Sequence, residues 1–218
     1  MKKKKLLIMN LSGTLLLPGD EVIFVVWCNA IKKAGLIPDY PLIYSHYGED
    51  FKESVIPKMA KKNNWSESSV KDIITYAKQA FAEINKESNA NLSNKLLSLK
   101  DKGYALGLIS NKNRDQVIKS LSKVGCDSQL FDFIKTGDDG IKKPDIRVFE
   151  KMLIDFEPED ATLVGDNINY DYPMSKEAGF GFAAIASKCF PSVVWKIHVP
   201  EKFIFKSFSE YIDSLLLD

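Results

Sequence analysis

The sequence predicts an α/β fold, a doubly wound parallel sheet that carries a small helical insertion. Short apolar, β-prone runs recur along the chain, and each is followed by a loop and then by a stretch with helical apolar spacing. Strands and helices in alternation argue for a parallel sheet covered on both faces, because each crossover helix must pack back onto the sheet. A long segment after the first run shows helical periodicity alone, which sets it apart from the sheet.

The first run is Leu6 to Met9, entered from the basic stretch Lys2 to Lys5. A secretory leader also begins in this way. Here Asn10, Ser12 and Gly13 break the apolar run and no small-residue cleavage site follows, so a buried first strand is the reading. Later runs are Tyr104 to Ile109, Phe131 to Thr136, Thr162 to Val164 and Gly181 to Ala186, with Phe203 to Phe205 as a short edge strand. Helical spacing appears at Leu92, Leu96, Leu97 and Leu99, ending at Lys102-Gly103. It appears again at Val117, Ile118, Leu121 and Val124, ending at Gly125. Val148, Phe149, Met152 and Leu153 predict a third helix, and Met174 and Ala178, stopped at Gly179, a fourth. Glycine just past a basic last turn is a common helix stop.

From about Pro18 to Ser88 no strand is expected. Val22, Val25, Val26 and Ala30 share one helical face, and Ile73, Ile74, Ala77, Phe81 and Ile84 another. A single connection of about seventy residues exceeds ordinary loop lengths many times over, so the segment reads as a helical insert. The organisation expected is a core domain of residues 1–17 and 91–218 and an inserted domain of residues 18–90, with Glu87 to Asn91 as the polar return linker. Tyr40, Tyr44, Tyr47 and Phe51, with His46 among them, are expected to build the insert's small core. Phe190, Trp195 and Phe203 are expected to pack against the last strand.

Bulk composition excludes several classes. Formal net charge is +1 and the sequence pI about 7.6, so nothing points to nucleic acid or an anionic membrane. No apolar run is long enough to cross a bilayer. Three cysteines, none in a CxxC pair, argue against a disulfide framework or zinc and for a reducing, cytoplasmic setting. Two isolated histidines make no histidine metal site. The sequence does not fix the oligomeric state.

Ligands of open parallel sheets bind beyond the carboxyl ends of the strands. The residues there are Asn10-Leu11-Ser12-Gly13-Thr14, Ser110-Asn111-Lys112, Lys142-Lys143-Pro144, and Gly165-Asp166-Asn167 with Asp171 five residues beyond Asp166. In this order they resemble the four motifs of the haloacid dehalogenase (HAD) superfamily of hydrolases. Gly165-Asp166 with Asp171, followed by Lys176-Glu177-Ala178-Gly179, and Lys143-Pro144-Asp145 with Val148-Phe149 are specific matches. The resemblance covers the whole chain. It implies a Rossmann-like core, a helical cap inserted after the first motif, and phosphatase chemistry on a small phosphorylated molecule.

The head of the first motif departs from the family pattern Asp-x-Asp-Gly-Thr. Asn10 stands at the nucleophile position and Ser12 at the acid/base position. In the family the first carboxylate attacks phosphorus, and the second protonates the leaving group and activates water. A neutral amide is a poor nucleophile. A trap substitution would alter Asn10 alone, so the paired change reads as natural decay. Loss of a nucleophile costs roughly 10⁶-fold. The resemblance also implies Mg²⁺ held by Asn10, Ser12 (through its carbonyl), Asp166 and Asp171. With a carboxylate missing, that site is weakened or absent, because Mg²⁺ is held mainly by carboxylates and phosphates. An anion cradle remains, made of Ser110, Asn111, Lys143 and the backbone N–H groups of Leu11 and Ser12. The reading is therefore a HAD-like, phosphatase-type protein, inactive or severely impaired, that binds a phospho-ligand or inorganic phosphate. The alternatives are an active Mg²⁺-dependent phosphatase and a non-catalytic protein-interaction module.

Overall fold

The computed structural model describes residues 5–17, 20–46, 51–84, 87–88, 91–187 and 190–217. Tyr47, Asn89, Ala90 and the basic residues before Lys5 lie outside them. The chain divides into two compact units, Met1–Gly19 with Lys86–Asp218, and Asp20–Asn85.

In chain order the first unit begins with β1 (Lys5–Asn10) and β2 (Leu16–Leu17). The second unit holds α1 (Asp20–Lys33), α2 (Tyr40–Ser45), α3 (Ile56–Asn63) and α4 (Glu67–Glu83). The first unit resumes with β3 (Glu87–Ser88), α5 (Leu92–Asp101), β4 (Tyr104–Ile109), α6 (Arg114–Lys123) and β5 (Phe133–Lys135). It ends with β6 (Ala161–Gly165), α7 (Asp171–Glu177), β7 (Gly181–Ile185), α8 (Ser192–Trp195), β8 (Ile204–Phe205) and α9 (Phe208–Leu217). The main sheet has the order β5-β4-β1-β6-β7-β8, and every pairing in it is parallel.

β1 sits at the centre and is buried along its apolar length. Successive side chains of a strand point to opposite faces. Leu7 and Met9 accordingly join one core with Leu106, Leu108, Val117, Leu121, Val164 and Ile212. Leu6 and Ile8 join another with Phe149, Met152, Leu163 and Met174. Two apolar faces require cover on both sides, and that is what makes the sheet doubly wound. Glycines with positive φ follow α5, α6 and α7 at Gly103, Gly125 and Gly179, where a side chain at Cβ would be strained.

The second unit has its own core around Trp27, whose ring stacks on Phe51 at 5.8 Å and meets Phe81 edge-on at 6.0 Å. Phe51 is thus a core residue, as expected. Tyr40 is not. It is 39% exposed, and its ring lies 6.3 Å from that of Phe24. His46 is half-buried and its ring nitrogen hydrogen-bonds with the Leu42 carbonyl. The Tyr44 side chain lies outside the described residues.

Four local expectations need correction. Val148, Phe149 and Met152 are buried, but they lie on a 3₁₀ segment, Ile146–Phe149, and the turns after it. Bonds there run mostly three residues back, as in Val148 N–H to Asp145 and Met152 N–H to Phe149, so apolar spacing fixed the buried face but not the helix type. The segment read as strand-free contains β3, which pairs antiparallel with β2. Two-residue strands show no alternation that periodicity can detect. The run from Phe131 pairs only over Phe133–Lys135. In the C-terminal region Trp195 is fully buried and packs with Ala184, Phe190 and Ile204, whereas Phe203 is 41% exposed.

Asp132 substitutes for a strand partner at the sheet edge. Its carboxylate accepts from Leu106 N–H at 2.8 Å and from Lys100 Nζ at 2.9 Å. Burial pushes this carboxyl up, but the Lys100 and Leu106 donors outweigh burial and hold it below the ordinary carboxylate value. A depressed folded-state pKa contributes stability above the unfolded pKa and loses it as pH falls through the folded one. Asp132→Asn is therefore expected to cost about 1 kcal/mol near neutral pH, discounted for partial exposure. Denaturant titrations should show the gap to the native protein closing in acid.

Candidate active site

Strand register builds the site. Asn10 at the end of β1 pairs with Ile109, so the next residue of β4, Ser110, lies beside it. Met9 pairs with Val164, which brings Gly165 and Asp166 to the same edge on the other side. The chain moves from β1 to β4 in one direction and reaches β6 in the other. The crevice between β1 and β6 is thus the switch point where such sheets bind ligands.

A hydrogen-bonded network occupies this edge. Asn10 Nδ2 donates to Asp166 Oδ1 at 2.8 Å and to the Ser12 carbonyl at 2.8 Å. Asn10 Oδ1 accepts from Lys143 Nζ at 3.0 Å. Lys143 Nζ also pairs with Asp171 Oδ1 at 2.7 Å, with side chains 9% and 0% exposed. Thr14 Oγ1 donates to Asp166 Oδ1 at 3.1 Å. Asp171 Oδ2 accepts from Asn167 N–H at 3.2 Å. Asn167, itself buried, accepts from Asn169 and Tyr170 N–H and shapes the turn into α7. Charged hydrogen bonds in so dry a setting are worth about 1.5–3 kcal/mol each, so the network is a rigid frame.

Asn10, Ser12, Lys143, Asp166 and Asp171 are thus joined directly, and buried Ser110 stands on the neighbouring strand end. Ser110 Oγ accepts from Lys112 N–H at 3.2 Å and still carries an O–H to donate. Leu11 is fully buried, and its carbonyl accepts from Leu15 and Leu16. Asn111, expected in the anion cradle, has its side-chain amide bonded to the Lys143 backbone. Its amide oxygen accepts from Lys143 N–H at 2.8 Å and its amide nitrogen donates to the Lys143 carbonyl at 3.1 Å. These reciprocal bonds tie the Ser110 loop to the Lys143 loop.

Sequence reasoning gave no role to Lys112, whose Nζ donates to Ser12 Oγ at 2.5 Å. The signal was its place two residues past Ser110 in a strand-end loop. Among dispersed lysines it read as solvated. Glycines allow the approach of these loops. A Cβ on Gly13, whose φ is +81°, would lie 2.0 Å from Asp166 Oδ2, one on Gly165 2.4 Å from Asp171 Oδ2, and one on Gly137 2.3 Å from the Asn111 carbonyl. Thiol chemistry finds no support at Cys28 or Cys126. Both are buried, and burial pushes both thiols above their ordinary value. Cys189 lies outside the described residues.

The donor set does not fit Mg²⁺. The Ser12 carbonyl and Asp166 Oδ1 both face an N–H donor, and Asp171 is held by an ammonium. The expected Asn10 oxygen points to Lys143 instead. Lysine can only donate and a carboxylate can only accept, so this amide orientation follows from its neighbours. Among the described residues no three His, Cys, Asp or Glu side chains come together in a way that could hold a metal ion. Nor is any described helix long and apolar enough to cross a membrane.

Comparison with known proteins bears on the family and the fold. The family model for haloacid dehalogenase-like hydrolases matches residues 20–185, a span that includes Ser110, Lys143, Asp166 and Asp171 but begins after Asn10 and Ser12. A glyceraldehyde 3-phosphate phosphatase of Methanothermobacter thermautotrophicus is 34% identical over 119 residues, 53% of this chain and 51% of that protein. A Pyrococcus furiosus protein of the same name is 30% identical over 49% of this chain and 45% of its own length. The chain thus spans about half the length of these curated relatives. Pyrophosphatase PpaX of Bacillus thuringiensis is 28% identical over 66% of this chain and 71% of its own length. Among solved structures, a protein described as a predicted phosphoglycolate phosphatase from Haemophilus somnus superposes with a TM-score of 0.72 at 20% identity, covering 99% of each chain. CbbY from Rhodobacter sphaeroides, in complex with phosphate, gives 0.67 at 18% identity, covering 95% of this chain and 96% of its own.

Gly13→Ala places a methyl against the buried Asp166 and strains a left-handed backbone. It is expected to cost about 1–3 kcal/mol, read as a lower midpoint in denaturant.

Proposed function

The chain belongs to the haloacid dehalogenase-like hydrolase family, and from that premise we propose that it binds a small phosphorylated molecule or inorganic phosphate without turning it over at the family's rate. The observation that carries the proposal is Asn10. It stands where the family places its attacking carboxylate, and both ends of its amide are engaged, the oxygen by Lys143 and the nitrogen by Asp166. An amide oxygen that accepts from an ammonium carries no net charge and is a poor nucleophile toward phosphorus. Ser12 accepts from Lys112 and offers no carboxyl to protonate a leaving group.

Three features support an anion ligand. Ser110 supplies a hydroxyl, and Lys143 and Lys112 supply positive charge. The backbone around Leu11 and Ser12 turns at the strand end, where successive N–H groups form anion-binding concavities. The named relatives are phosphatases and a pyrophosphatase, which supports a phosphate-bearing ligand. Retention of Ser110, Lys143, Asp166 and Asp171 favours a second reading, an active Mg²⁺-dependent phosphatase. The engaged Asn10 amide weighs against it.

Hydrolysis of an aryl phosphate with excess Mg²⁺ separates the two. The native chain is expected to be inert, and Asn10→Asp/Ser12→Asp to gain turnover, the missing nucleophile being worth up to about 10⁶-fold. Chelator-sensitive turnover by the native chain would establish the second reading. Inorganic phosphate should raise the melting temperature of the native protein. Ser110→Ala should weaken its binding about tenfold, as for one lost hydrogen bond to a charged group.

A further inference from the structure

We infer that the Asn10 amide, with Lys112, takes the place of a divalent cation, so that this site binds a phosphate-type anion with no metal. The ligand in this inference rests on the phosphate-binding reading above. Its metal-free character rests on geometry and charge.

The first support is the bonding of Asn10 Nδ2. One amide NH₂ lies 2.8 Å from two oxygens on different segments, the Ser12 carbonyl and Asp166 Oδ1. The family resemblance assigns those same oxygens to a cation. The NH₂ has two hydrogens and no lone pair to coordinate a metal, so it can satisfy both acceptors and serve as ligand to none. A cation entering between the oxygens would displace it and leave buried N–H groups unpaired. Unpaired buried donors are costly, and a hard ion left with few carboxylates has little affinity to set against that cost. The amide cannot turn over to escape, because its oxygen would then face Asp166 and its nitrogen the Lys143 ammonium.

Charge is the second support. Among the described hydrogen bonds, Asn10 and Ser12 join two carboxylates, Asp166 and Asp171, to two ammonium groups, Lys112 and Lys143. Their formal charges cancel. Aspartates at positions 10 and 12 would leave the cluster two negative charges in excess, which is the charge a divalent cation neutralises. Asn10 and Ser12 therefore bring the cluster to the same formal charge with no ion bound. Lys112 is central to this balance. Its ammonium lies against the hydroxyl that replaces the second carboxylate, where it adds a second positive group for an incoming phosphate.

The test compares the native protein with Asn10→Asp/Ser12→Asp, and with Asn10→Asp alone should the double variant fold poorly. Mg²⁺ is first titrated by itself, read by calorimetry and melting temperature. Inorganic phosphate is then titrated in excess EDTA and in excess Mg²⁺. The native protein is expected to show no Mg²⁺ heat and a phosphate affinity that is the same within about twofold in both conditions. The variant is expected to bind Mg²⁺ and to gain about tenfold or more in phosphate affinity with it. Native binding of Mg²⁺, or native phosphate binding lost in EDTA, overturns the inference. A native protein that takes up neither overturns the ligand reading, while the Mg²⁺ arm alone still decides whether the amide excludes a metal.

Discussion

An amide has an acceptor end and a donor end, and at Asn10 each meets its opposite. Lys143 faces the oxygen, and Asp166 with the Ser12 carbonyl faces the nitrogen. The rest of the site depends on this one side chain. It joins the β1 end to the loop carrying Lys143 and to the loop after β6, and through Lys143 it reaches the buried Asp171. Remove it and an ammonium, a carboxylate and a carbonyl lose a shared partner in a site with little water to replace it. Buried polar groups of this kind are costly unless fully satisfied. The described network is satisfied with groups the protein itself supplies.

The sheet makes that convergence possible. β1, β4 and β6 are parallel neighbours whose registers end together, so residues far apart in sequence leave the sheet at one edge. Gly13, Gly165 and Gly137 then let backbone approach side chain and backbone more closely than a Cβ would permit. Asn111 adds a clamp of reciprocal bonds on Lys143. Fixed strand ends and close-packed loops hold the charged groups within bonding distance of one another.

Membership of a hydrolase family sets the frame of this site, while its chemistry depends on the residues within it. The family match lies over residues 20–185 and does not reach the two positions where this chain departs from the motif. A fold supports many functions, and the site decides among them. Here the substituted positions are bonded into the frame by Lys143, Asp166 and Lys112.

Much of this was legible in the sequence. Short continuous apolar runs, alternating with helical stretches stopped by glycine, gave the α/β class and the position of the main strands, because a parallel strand covered on both faces is apolar along its length. Motif order located Asn10, Ser12, Ser110, Lys143, Asp166 and Asp171, because strand ends in a parallel sheet collect at one edge. Periodicity could not distinguish a 3₁₀ segment from an α-helix at Val148 to Leu153, nor find the two-residue pair β2 and β3, since neither difference changes which residues are buried. Tertiary structure alone decided which way the Asn10 amide points, that Asn111 holds Lys143, and that Lys112 reaches Ser12. These depend on the direction of donors and acceptors brought together across about 30 to 150 positions of chain, and no local pattern of residues encodes that direction.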